Sequence, residues 1–169
     1  MTYATAIDLI TRFGAAALAQ RAVRGAPRLV TPQLLADAAA SVDLAAAYTE
    51  AEIARAGEAM AVLQRALDDA RDTIDSNISS RYTLPLSPVP SVLGRIACNL
   101  ARFYLFSDQV TETIKDAYED DLKLLQAIRD GKASLGVDAA TDQAPASTAS
   151  AEISTGGRVW SREKAGGFL

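Results

Sequence analysis

Ser79-Ser-Arg-Tyr-Thr-Leu-Pro-Leu-Ser-Pro-Val-Pro90 separates two strongly periodic helical segments. Pro85, Pro88 and Pro90 fall within six residues and cannot continue a helix. Each lacks a backbone N–H, and each pushes its predecessor toward extended geometry. The stretch reads as a stiff, extended elbow entered at Tyr82, with Leu84, Leu86 and Val89 packed beneath it. Upstream, Met60, Leu63, Leu67, Ala70, Ile74 and Ile78 recur at three- and four-residue steps. That spacing predicts one long amphipathic helix from about Thr49 to Arg81. Downstream, Val92 to Phe106 is apolar nearly all round, the pattern of a central, buried helix. A further helix, capped by Asp108 and running to Asp130, carries Val110, Ile114, Tyr118, Leu122, Leu125 and Ile128 on one face. Gly131 ends it. The predicted fold is all-α: a small helical bundle with two to three long helices, a proline-rich elbow and an extended C-terminal arm.

Shorter helices precede the long ones. Thr5, with Asp8 in the capping-box position, starts a helix through Phe13 whose apolar side is Ile7, Leu9 and Ile10. Gly14 breaks it, Ala15 to Val23 forms a second, and Gly25-Ala-Pro27 turns the chain. Thr31-Pro32, a cap followed by proline at the first helical position, starts a third through about Ala40. The alanine-rich run to Tyr48 is expected to continue that helix after a break near Ser41. Residues 1–136 thus form one helical domain. The run 137–157, poor in large side chains, is expected to be a flexible linker. Residues 158–169 then read as a docking arm holding Arg158, Trp160, Arg162, Phe168 and Leu169.

Composition argues against catalysis. The chain has no histidine, which removes the commonest general base and metal ligand near neutral pH. Its single cysteine, Cys98, lies on an apolar helical stripe and reads as a buried small hydrophobe. No activated nucleophile, phosphate loop or cofactor site is expected. Asp68, Asp69, Asp72 and Asp75 share one helix without oxygens from a second element, so a solvated face paired with arginine is favoured over a cation site. Glu119, Asp120 and Asp121 read the same way beside Lys115 and Lys123. In a ring, the Asp68–Asp75 face could line a channel and repel DNA phosphates. Met1 to Ala19 lacks a basic n-region, and Asp8 and Arg12 interrupt its apolar run, so neither a secretory signal nor a membrane span is expected. Synthesis in a reducing cytoplasm follows.

Net charge is −4, unevenly placed: residues 1–32 carry +3, the stretch from Arg158 carries +2, and the remainder −9. An acidic middle with basic ends suits head-to-tail contact between copies better than duplex binding.

Several stretches together resemble a family of Mu-like prophage and tailed-phage head–tail connector (adaptor) proteins. They are Tyr3-Ala-Thr-Ala-Ile-Asp-Leu-Ile-Thr-Arg-Phe-Gly14, Val62-Leu-Gln-Arg-Ala-Leu-Asp-Asp-Ala70 with Ile74-Asp75, and Arg81-Tyr-Thr-Leu-Pro-Leu-Ser-Pro-Val-Pro90. Ile96-Ala-Cys98, Ala101-Arg-Phe-Tyr-Leu105, Tyr118-Glu-Asp120, Gly131-Lys-Ala-Ser-Leu-Gly136 and the ending Arg158-Val-Trp-Ser-Arg162 to Gly167-Phe168 complete the set. The block Tyr82 to Pro90 is the specific one. The departure is residues 21–57, an alanine-rich helical insertion where the family pattern has a short acidic loop.

The resemblance implies a virion neck protein made in the host bacterial cytoplasm. It would form a ring of about twelve copies beneath the portal. One side would meet the portal protein and the other the next connector or tail-completion protein. DNA would pass through without specific contact, and no membrane would be involved. The alternatives are a small helical nucleic-acid-binding or regulatory protein contacting DNA through its N-terminal arginines, and a chaperone-like bundle.

Overall fold

The computed structural model describes residues 2–23, 30–106 and 109–137, and every regular element among them is helical. The elements are α1 (Ala6–Phe13), α2 (Ala15–Ala22), α3 (Pro32–Ala39), α4 (Glu50–Ile78), α5 (Ser91–Leu105) and α6 (Glu112–Arg129). The all-α bundle read from the periodicity is the fold. None of these helices is long and apolar enough to cross a membrane.

Local chemistry explains most boundaries. The Thr5 side chain accepts from the Asp8 N–H while the Asp8 carboxylate accepts from the Thr5 N–H at 2.8 Å, which closes the capping box of α1. Thr49 and Glu52 repeat the arrangement at α4. Thr31 caps α3 through the Leu34 N–H, with Pro32 in its first turn. At the end of α6, Gly131 takes φ +79°, its N–H reaching the Ile128 carbonyl and that of Lys132 the Ala127 carbonyl. This is a Schellman turn.

The run from Ser41 to Tyr48 is not helical, against the sequence expectation. Ser41 adopts φ +56°. Its N–H bonds to the Ala38 carbonyl at 3.2 Å and that of Val42 to the Asp37 carbonyl at 3.0 Å, so a second Schellman turn ends α3. The Asp43 carboxylate then accepts the Ala45 N–H, and the Tyr48 hydroxyl donates to Asp37. Local polar bonds override alanine's helix preference. The start of α6 also differs: Thr111, not Asp108, occupies the N-cap position, and Asp108 lies outside the described residues.

The hub is α4 rather than α5. At 29 residues it is about 43 Å long and packs on all five other helices, whereas α5 packs mainly on α1, α4 and α6. Nor is α5 apolar all round. Leu93, Ile96, Ala97, Cys98, Leu100 and Ala101 are buried, but Arg95, Asn99 and Arg102 occupy its other side. The segment before α1 crosses α5 so closely that a Cβ on Gly94 would lie 3.1 Å from the Tyr3 carbonyl oxygen.

The elbow residues 79–90 leave the helical path, with cis bonds preceding Pro85 and Pro88. Tyr82 and Leu86 are buried and Leu84 is half-buried, but Val89 is exposed, contrary to the expectation that all three aliphatics pack underneath. Ile7 is likewise exposed on α1, where Leu9 and Ile10 do the packing.

Candidate functional site

Three arrangements join residues distant in sequence, and none presents a catalytic constellation among the described residues. Cys98 is buried, and burial pushes its thiol above the usual value, which disfavours the thiolate. No group of His, Cys, Asp and Glu side chains among the described residues is placed to hold a metal ion.

The first arrangement is a buried charge. Asp121 on α6 is 2% exposed, the one buried charged residue among those described. Its carboxylate accepts from Arg95 Nη1 at 2.7 Å and from Asn99 Nδ2 at 2.6 Å, both on α5. This corrects the sequence reading, which left Asp121 on a solvated face with Glu119 and Asp120. Those two do stay exposed, beside Lys115 and Lys123. The signal was present: Asp121 shares the helical register of Ile114, Leu125 and Ile128, a core position. A carboxylate there is tolerated because both oxygens are bonded, one in a charge-assisted pair.

The second pins the chain's exit from the bundle. Arg81 Nη1 donates to the Ile128 carbonyl at 3.1 Å and the Ala133 carbonyl at 3.3 Å. The Tyr82 hydroxyl accepts from the Leu135 N–H at 3.1 Å. Leu135 and Val137 are buried in the core beyond them. The elbow therefore clamps the last turn of α6, and the packed body extends through Val137. Pro85 and Pro88 are exposed and Pro90 is half-buried at the N-cap of α5.

The third is the acidic side of α4. Arg71 bridges Asp68 at 3.2 Å and Asp72 at 2.9 Å, while Asp69 is exposed with no ion pair among the described residues. Asp75 turns to the Tyr3 hydroxyl, which donates to it, and burial with this bond pushes the Tyr3 phenol well above its usual range.

Two grooves flank α5. The larger, about 430 Å3, is lined by Tyr3, Asp8, Thr11 and Arg12 from the α1 side and Ser91, Gly94, Arg95 and Cys98 from α5. The smaller, about 140 Å3, lies where α4 passes the end of α5. The Arg102 guanidinium sits 4.5 Å from the Phe13 ring centre, and Arg21, which lines the smaller groove, lies 5.0 Å from the Phe106 ring centre. The arm residues Arg158, Trp160, Arg162, Phe168 and Leu169 lie outside the described residues, as does the linker beyond Val137.

Comparison with known proteins places this architecture. A sequence model of the family described as Bacteriophage Mu, Gp36 matches residues 3–153, and so takes in all six helices. The chain belongs to that family. Within the Gp36 family, the Mu-like prophage FluMu protein gp36 of Haemophilus influenzae is 38% identical over 109 residues, covering 64% of this chain and 77% of the relative. Gene product J of Escherichia phage Mu is 39% identical over 106 residues, covering 63% and 75%. The Mu-like resemblance read from the motifs is therefore correct at the level of the family, and the chain is a bacteriophage protein.

Proposed function

We propose that this Gp36-family protein is a structural, non-enzymatic head–tail connector (adaptor) of the virion neck. In this reading copies close into a ring, about twelve by the commonest logic of such adaptors, beneath the portal. One side engages the portal protein and the other the next connector or tail-completion protein. DNA passes through the lumen without sequence-specific contact.

The observation that supports it most directly is the pinned exit. Arg81 and Tyr82 hold the backbone at 133–135, so the chain beyond Val137 departs from a fixed point on a helical wedge. An arm bearing Arg158, Trp160, Arg162, Phe168 and Leu169, launched from a fixed point, suits subunit-to-subunit docking. Family membership supplies the phage setting.

The test is the mass of the full chain, alone and mixed with portal-bearing capsids, by light scattering and electron microscopy. A closed ring or a stoichiometric collar on the portal is the expected result. A monomer that ignores portals sinks the reading. Removing residues 158–169 should abolish the collar while leaving helix content unchanged.

One observation favours a second reading, binding to nucleic acid. Arg12, Arg21, Arg65 and Arg102 form no salt bridge among the described residues, and two of them stack on phenylalanine rings. Salt-dependent binding of the isolated chain to duplex DNA would support it.

A further inference from the structure

The smaller groove has chemistry suited to one kind of guest. Val62, Ala66, Leu105 and Tyr104 line it with apolar surface, Arg21 and Arg65 add two guanidiniums, and Asp69 adds a carboxylate. Its volume of about 140 Å3 is well below the ~300–1,000 Å3 of a small-molecule site, so it suits a single side chain. Tyr104 is held firmly. Its hydroxyl shares a 3.0 Å hydrogen bond with Thr73 Oγ1, and its ring meets Phe103 and Tyr118 edge-on at 6.1 and 6.0 Å. Phe103 and Tyr118 are themselves stacked at 3.8 Å. An apolar lining with guanidiniums beside it is the setting an aromatic ring prefers, indole above all, because the ring face attracts cations.

We infer that this groove is the docking site of Trp160, carried by the segment Arg158-Val-Trp-Ser-Arg162 of a neighbouring copy. The chain has one tryptophan, and it lies in this segment. In extended backbone, side chains alternate, so Arg158, Trp160 and Arg162 share a face. The two arginines then oppose Asp69, the carboxylate of the groove, which has no ion pair among the described residues, whereas Arg71 already bridges Asp68 and Asp72. Reach is ample: the run 138–157 spans at most about 70 Å, starting from the packed Val137. The inference deepens the connector reading by naming the surface that receives the arm, and it rests on that reading for the arm's purpose.

The experiment uses the full chain carrying Trp160→Ala, which leaves it without tryptophan, and a synthetic peptide of residues 155–169 as the only emitter. Docking shifts the peptide's emission to the blue and shields it from an aqueous quencher. Arg65→Ala with Asp69→Arg, both exposed positions, should weaken this binding roughly ten-fold, as loss of a cation–π contact and a charge reversal predict. Unchanged emission at every chain concentration overturns the inference. So does binding that the groove substitutions leave intact with helix content preserved. In the unmodified chain, emission that turns blue only as concentration rises assigns the groove to a neighbour. Blue emission from a chain that light scattering shows to be monomeric places the arm on its own subunit and overturns the intermolecular docking. No portal is present in this experiment, so it fails independently of the connector reading, which the collar on the portal tests.

Discussion

From Leu63 onward α4 buries Leu63, Leu67, Ile74 and Ile78 completely or nearly so, whereas its first three turns bury only Ala56 and Ala59. The same helix thus passes from leucine–isoleucine packing to sparser alanine packing, where Leu35 and Ala59 still belong to the main core. Around the first, α5 and α6 bring Leu93, Ile96, Leu100, Leu125 and Ile128, all buried in the main core. Around the second, the fully buried Leu34 and Ala56 lie outside that core. Each buried methylene contributes about 0.8 kcal/mol, so the leucine–isoleucine half carries far more of the stability than the alanine half. Alanine lets helices approach closely at small area. Regions with few large apolar contacts open first, so the end of the molecule formed by α3 and the start of α4 should be the more labile.

Ile74→Ala offers the strongest test of that contrast. It should cost about 3–4 kcal/mol and lower the denaturation midpoint of all helices together. Leu34→Ala should cost about 2 kcal/mol, with the lost hydrogen-exchange protection confined to α3 and the first turns of α4. Equal loss of protection throughout would show a single cooperative unit and break the comparison.

Asp121→Asn sharpens it from the other side. An amide keeps the shape but offers one acceptor to Arg95 and Asn99, leaving a donor facing donors. The expected cost is about 1–3 kcal/mol, read as a lower melting temperature, because position 121 itself is buried. A neutral result would mean that Arg95 turns to solvent without loss.

The smallest effect belongs to the alanine end. Thr49→Ala removes the capping box of α4 and should cost about 1 kcal/mol. The same cap titrates. Bonds from the Thr49 backbone N–H and then its hydroxyl hold the Glu52 carboxyl below its usual value. A depressed folded value means the contribution is complete above the unfolded value of about 4.3 and is lost as pH falls through the folded one. Protection of the first amides of α4, taken relative to intrinsic exchange, should therefore fall on acidification, and Thr49→Ala, which keeps the backbone N–H bond but loses the hydroxyl, should weaken that dependence.

Much of this was legible from local pattern. The caps at Thr5 and Thr31, the stops at Gly14 and Gly131, and the register of α4 and α6 involve residues within a turn of one another, and the chemistry of a turn is carried by neighbouring letters. Cys98 sat where its helical stripe placed it. The break near Ser41 was read correctly, but the run to Tyr48 was expected to resume the helix because alanine's helix preference was given more weight than local polar bonds. Asp121 was missed because its charge was given more weight than its register.

The amino-acid sequence by itself determined an all-helical chain, the break at the prolines, the basic ends on an acidic body and membership of the Mu Gp36 family. Only the tertiary structure decided that α4 is the hub, that Val89 and Ile7 face water, and that Asp75 answers Tyr3 across 72 positions. It likewise decided that Arg95 meets Asp121 across 26 positions and Tyr82 meets Leu135 across 53. The reason is range. Periodicity and capping are set by contacts three and four residues apart, whereas the partner of a buried polar group depends on which helices pack together and at what register.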